Sequence, residues 1–269
     1  MQIIGVGLLR TGTTSLALAL EQLGYGPCYN MRALTSEPKR AADWAAAVKD
    51  PESADWHRIF AGYESAVGSP STAFWREIAD AFPTAKVILT IREPQKWYES
   101  ASGTLSGVLA PQPLALRLLT WRGPRRGSGD DDVFEVLDGV QRWTWEREVG
   151  GRFADRDHTI AAFGQHVAGV QAHVPADRLL TLDVREGWGP LCAFLGIPEP
   201  AGPFPRENDR ATFRHRQRVA LTRALVPRAL ATAAVGAALA LAAWGRRSIR
   251  GLRSQPPSNG SGRRRQNSR

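Results

Sequence analysis

The most telling absence in this chain is a single lysine. Residues Gly5–Leu16 read GVGLLRTGTTSL. Gly7 and Gly12 have the spacing of a phosphate-binding loop, yet Thr13 stands where an ATP-hydrolysing loop places Lys. ATP hydrolysis is therefore disfavoured. A dinucleotide fingerprint needs glycine at positions 5, 7 and 10, and the third of these is Arg10. Cysteine is also scarce: Cys28 and Cys192 are the only two. They give no disulfide framework, and a reducing compartment is the simpler expectation. None of the usual metal-ligand spacings of His, Cys, Asp or Glu appears, and no metal is expected. There is no internal repeat. The first residues, MQIIGVGLLR, lack a basic region followed by an apolar core, so no signal peptide is expected.

The charge that is present is unevenly placed. Residues 1–205 carry 20 Lys/Arg against 24 Asp/Glu, whereas residues 206–269 carry 15 against 2. The net charge of +9 thus belongs to the tail. A mildly acidic globular part argues against a dedicated nucleic-acid-binding domain, and no specific nucleic-acid partner is expected. The chain's 269 residues suffice for one α/β domain with a real core.

Hydrophobic patterning places the elements. Gln2–Val6 reads as a short buried strand entering the glycine loop. Leu16, Leu20 and Leu23 then fall on one helical face, closed by Gly24. Phe74, Ile78 and Phe82 share a second helical face, followed by Pro83. Lys86–Ile91 (KVILTI) is nearly continuous and β-branched, as in a strand covered on both faces. Pro94 opens the next helix, which carries Trp97 and Ser100. Arg125–Asp132 is a polar break. Val133–Arg147 and Thr159–Val174 read as helices, Arg178–Val184 as a third buried strand, and GPLCAFLG as a short helix stopped at Gly196. Strands alternating with helices imply an open, mostly parallel sheet flanked by helices on both faces. The expected boundaries are an α/β domain over residues 1–218, a basic-flanked hydrophobic helix over 219–253 and a disordered basic tail over 254–269.

The opening loop offers backbone N–H groups at a helix start, the hydroxyls of Thr13, Thr14 and Ser15, and the arginine of residue 10. Such a cup suits an anion. The blander reading is a tight strand–helix turn with Ser/Thr capping. Arg92 sits at the carboxyl end of the KVILTI strand, and Ser100 lies on the helix after it. In an open parallel sheet ligands bind at those carboxyl ends, so Arg92, Ser100 and the loop are expected to converge on one crevice.

Together, GVGLLRTGTTSL and AKVILTIREPQKWYES carry a resemblance, supported by DVREGWGPLCAFLGIP and PFPRENDRATF. Over about residues 3–215 the chain resembles the P-loop-like sulfotransferases that use 3′-phosphoadenosine 5′-phosphosulfate (PAPS), in a divergent family with an RTGTTSL loop. The resemblance implies a P-loop NTPase-like fold and sulfonate transfer from PAPS to a hydroxyl or amine of a small-molecule or lipid-like acceptor. It implies that Arg10, Thr11, Gly12, Thr13, Thr14 and Ser15 bind the phosphosulfate, with Arg10 clamping the bridging region. Arg92, Ser100 and Arg206 would hold the 3′-phosphate. Three positions depart from the family pattern. Leu9 replaces a frequent Pro, Asn30 stands where His is expected, and Gly68-Ser69 replaces a common Asp-Trp pair. Asn30 is expected to orient the acceptor, while His57, Glu64 and Glu93 are weak candidates for its base. His158, His166 and His173 read as surface or packing residues. Two other classes stay open: a P-loop kinase or nucleotide phosphotransferase, and a catalytically silent nucleotide-binding module at membranes.

In the tail, Ala229–Gly245 is uncharged over 17 residues, nine of them Ala. As a helix it spans about 25 Å, short of a hydrocarbon core of about 30 Å. Basic residues flank both ends, so no orientation is set. A short C-terminal anchor, an interfacial helix held by anionic lipid and a soluble Ala-rich helix compete. The expected location is cytoplasmic, with membrane association through this segment.

Overall fold

A computed structural model of the chain describes residues 1–36, 40–109, 146–147 and 149–206. The polar break at 125–132, most of the helix expected over 133–147, Arg210, Arg214, the 229–245 segment and the basic tail lie outside them.

The first strand, β1 (Ile3–Gly5), is wholly buried and runs into the glycine loop. Helix α1 (Thr13–Gln22) follows, with Leu16 and Leu20 fully buried. Two-residue strand β2 (Cys28–Tyr29) leads into α2 (Met31–Ser36), α3 (Ala41–Lys49) and α4 (Trp56–Ile59). Strand β3 (Ser65–Val67) precedes a 3-10 turn (Ser71–Phe74) and α5 (Trp75–Ala81). Then come β4 (Lys86–Thr90), α6 (Pro94–Leu109), α7 (Arg156–His173), β5 (Leu179–Leu182) and α8 (Trp188–Leu195).

The five strands form one sheet in the order β2-β3-β1-β4-β5, and every pairing is parallel. The expected α/β sheet flanked by helices is present. Side chains alternate between its two faces. Ile3, Val67, Ile88 and Leu182 pack against Leu16 and Leu20 of α1 and Trp188 and Leu191 of α8. Ile4, Ala66, Val87 and Leu89 pack on the opposite face against Trp44, Trp56, Phe74, Ile78 and Val170. A parallel sheet covered on both sides needs apolar residues at consecutive positions, which is why KVILT lacks polar alternation.

The chain leaves β1 toward the α1 face and leaves β4 toward the α7 face. Adjacent strands whose connections diverge open a crevice at their carboxyl ends, the usual ligand position in such sheets. That crevice lies between the glycine loop and Arg92.

Candidate functional site

The loop is braced from within. Thr11 is only 2% exposed. Its hydroxyl donates to Leu8 O at 2.7 Å, so the 2.6 Å contact with Thr90 Oγ1 uses the proton of Thr90. Thr11 N also donates to Leu8 O, at 3.2 Å. The residue therefore shapes the loop from inside. Gly7 is required by crowding: a Cβ there would lie 1.8 Å from Thr90 Oγ1 and 2.7 Å from Thr90 O. Gly12 is required by conformation, at φ 104°, and by Val184, whose Cγ2 would lie 2.4 Å from an added Cβ. Arg10 is the one non-glycine residue with positive φ (74°) among the described residues. A strained backbone at a binding loop is held only where its surroundings determine it.

The first helical bond of α1 runs from Leu16 N to Gly12 O. The N–H groups of Thr13, Thr14 and Ser15 thus stand ahead of the helical ladder, at the positive end of the helix dipole. No acidic side chain occupies that first turn.

The expected convergence is present. Arg10 Nε donates to Ser100 Oγ at 3.3 Å, and Arg92 Nη1 lies 3.5 Å from Arg10 O. Residues 82 and 90 positions apart are thereby brought onto one loop. Trp97 Nε1 donates to Leu9 O at 2.9 Å, and its ring stacks on Phe163 at 4.4 Å. Tyr98 packs on Phe153 at 5.6 Å. Both aromatics are packing residues. Asp183, which follows β5, caps the turn beside Gly12. Contact with Arg185, with Arg92 adding to it, holds its carboxyl below the usual carboxylate range.

The other expected residues are placed differently. Asn30 stands at the end of edge strand β2, where Oδ1 accepts from Arg32 N at 2.9 Å and Ala33 N at 3.4 Å. Its amide oxygen caps α2. Glu93 caps α6, accepting from Gln95 N at 2.9 Å and Lys96 N at 2.8 Å. These bonds hold its carboxyl below the ordinary range. Glu64 precedes β3, at the amino ends of the strands and opposite the loop, and accepts from Gln2 Nε2. His57 packs on Phe82 at 4.5 Å. Arg206 is exposed at the end of the described residues.

Sequence reasoning missed a cavity of about 190 Å³ on the α7 side of the loop. Thr72, Arg76, Glu77, Arg147, Gln165 and His166 line it. Two of these grip the end of β1: His166 Nε2 lies 2.8 Å from Val6 O, and Thr72 Oγ1 donates to Gly7 O at 3.3 Å. A carbonyl can only accept, so Nε2 of His166 carries a proton. Burial, assisted by Arg76, lowers the His166 pKa below the usual 6.5 and keeps the ring neutral. One signal was available: His166 lies at i+3 from Phe163 and i−4 from Val170, both buried, hence on the inward stripe of α7.

The arrangement is a glycine loop at the switch point of a parallel α/β sheet, with an arginine in that loop and a second after the neighbouring strand β4, a geometry suited to an anion. Residues 2–213 match the sulfotransferase domain family, and the chain belongs to that family. It is 29% identical over 213 residues to Ava biosynthesis cluster protein M of Aspergillus versicolor, covering 76% of this chain and 80% of that protein. A crystal structure of a sulfotransferase from Alicyclobacillus acidocaldarius is similar at a TM-score of 0.43 and 17% identity, over 84% of this chain and 92% of that one.

Proposed function

We propose that the chain transfers the sulfonate of PAPS to a hydroxyl or amine of a small-molecule or lipid-like acceptor. The observation that carries this reading is the convergence of Arg10, Arg92 and Ser100 on one loop. The N–H groups of Thr13, Thr14 and Ser15 and the α1 dipole take the phosphosulfate. Arg10 lies over the bridging region. Its guanidinium keeps its charge, so it stabilises the departing phosphate without donating a proton. Arg92 and Ser100 hold the 3′-phosphate, and Arg206 closes over it from the following segment. Transfer then needs in-line positioning and fixed positive charge where charge develops on the leaving group. PAPS is a co-substrate, and this chemistry requires no metal.

Calorimetry with adenosine 3′,5′-bisphosphate against ATP–Mg²⁺ tests the reading. The bisphosphate should bind more tightly, and preference for ATP–Mg²⁺ overturns it in favour of a phosphotransferase. Arg10→Ala and Arg92→Ala should each weaken bisphosphate binding by about 10- to 100-fold, the worth of a charge-assisted hydrogen bond of about 1.5–3 kcal/mol. Unchanged binding in both would mean that the anion sits elsewhere.

A further inference from the structure

Sulfonate transfer to a hydroxyl releases a proton, and the residues first considered for taking it are occupied. Glu93 caps α6, Glu64 lies at the amino end of β3 away from the loop, and His57 packs on Phe82; Asn30, expected to orient the acceptor, uses its amide oxygen to cap α2. Gly68, at the end of β3, brings no functional side chain; its Cβ position lies 3.5 Å from Thr13. His166 is different. Its Nε2–H is fixed on Val6 O, one residue before Gly7 of the loop. In a neutral ring so fixed, Nδ1 is a bare acceptor. Among the described residues Nδ1 has no hydrogen-bond partner, and the ring lines the cavity.

The charges around that ring favour a particular acceptor. Glu77 of α5 is paired with Arg147 at 2.7 Å. Arg76 of the same helix stacks on Trp75 at 4.4 Å, and among the described residues it has no hydrogen bond or ion pair. Among the described lining residues, Arg76 is therefore a guanidinium without an ion-pair partner, held over an aromatic face. A guanidinium presented this way suits a carboxylate or another planar anion. The cavity is smaller than the roughly 300–1,000 Å³ that engulfs a drug-sized ligand. It fits a small acceptor or the reacting end of a larger one.

Building on the sulfotransferase reading, we infer that this cavity seats a hydroxylated acceptor bearing an anionic group, with Arg76 holding the anion and His166 Nδ1 acting as the catalytic base. The acceptor oxygen forms its bond to sulfur while the sulfur–oxygen bond to the 5′-phosphate breaks. That electron pair leaves with adenosine 3′,5′-bisphosphate, the acceptor proton passes to Nδ1, and a sulfate ester results. Among the described residues, Arg76, Glu77 and Arg147 are the charged groups that line the cavity with the ring, and Arg76 helps keep the ring unprotonated.

The test uses the full chain, radiolabelled PAPS and two matched pairs of acceptors: para-hydroxybenzoate against phenol, and hydroxyhexanoate against hexanol. The acids should be preferred. His166→Gln should leave the bisphosphate Kd within about threefold and cut kcat by about 10²- to 10⁴-fold. It should also remove the acid limb of the wild-type pH profile, which falls as pH drops through a pKa below 6.5. Measured at a pH above the acid limb, Arg76→Gln should raise KM for the acids about tenfold or more and erase their advantage over the neutral partners. Loss of bisphosphate binding in step with activity in His166→Gln would mark a structural role and overturn the inference. So would an intact acid limb, or a preference for the neutral acceptors. If no acceptor turns over, nitrogen-15 spectra of the His166 ring decide. With bisphosphate bound, para-hydroxybenzoate must shift those signals, and unmoved signals sink the inference. Failure of the wild type to bind bisphosphate refutes the donor reading instead.

Discussion

At the residue scale, the loop's conformation rests on absent atoms as much as on present ones. Gly7 faces Thr90, which in turn fixes Thr11. Gly7→Ala should therefore cost about 3 kcal/mol or more, at or above the upper end for overpacked buried positions, and thermal melting will read it. Glu93 acts through charge. Because its folded pKa is depressed, its stabilisation is present above the pKa of the unfolded chain and is lost as pH falls through the folded value. Glu93→Gln should thus melt below wild type at neutral pH, and the gap should close on acidification. A gap independent of pH would show that the carboxylate's charge contributes nothing. The loop and Arg92 were readable in the sequence because a glycine loop and a strand-end arginine are local signals. The cavity was not, since His166 and the carbonyl it holds are 160 residues apart.

At the scale of elements, β4 and β5 were legible because buried parallel strands are continuous apolar runs. The strands β2 and β3 were not, since two and three residues are too few to show a period. Yet β3 sits between β2 and β1 and links the edge of the sheet to the loop. The helices α2, α3 and α4 were also missed; α4 has only four residues. What holds this region is an aromatic cluster. Tyr29 of β2 accepts from Trp44 Nε1 of α3 at 2.6 Å, and its ring meets Phe60 and Tyr63 edge-on. Tyr29→Phe keeps the ring and leaves a fully buried indole N–H without its acceptor. The expected cost is about 1–3 kcal/mol in urea unfolding. Because Tyr29 lies on β2, two strands from β1 in the sheet, bisphosphate affinity should not follow.

For the whole molecule, the charge is divided in two parts. The near-neutral part holds the sheet and the loop, and residues 206–269 hold 15 of the 35 Lys/Arg. On the reading in which residues 229–245 meet a membrane, removing residues 219–269 should abolish co-sedimentation with anionic vesicles and leave bisphosphate binding unchanged. Equal sedimentation of both chains would remove the membrane role. Among the described residues no helix is long and apolar enough to cross a membrane. Trp97 joins the loop to α7 at once, through Leu9 O and through Phe163. Anyone re-engineering this protein inherits that coupling. On the proposed reading, variation along α7 will disturb donor and acceptor sides together, whereas among the described residues α5 meets the loop through the Thr72 turn that precedes it and through Trp75 against His166. A library aimed at new acceptors should begin at Arg76 and Glu77.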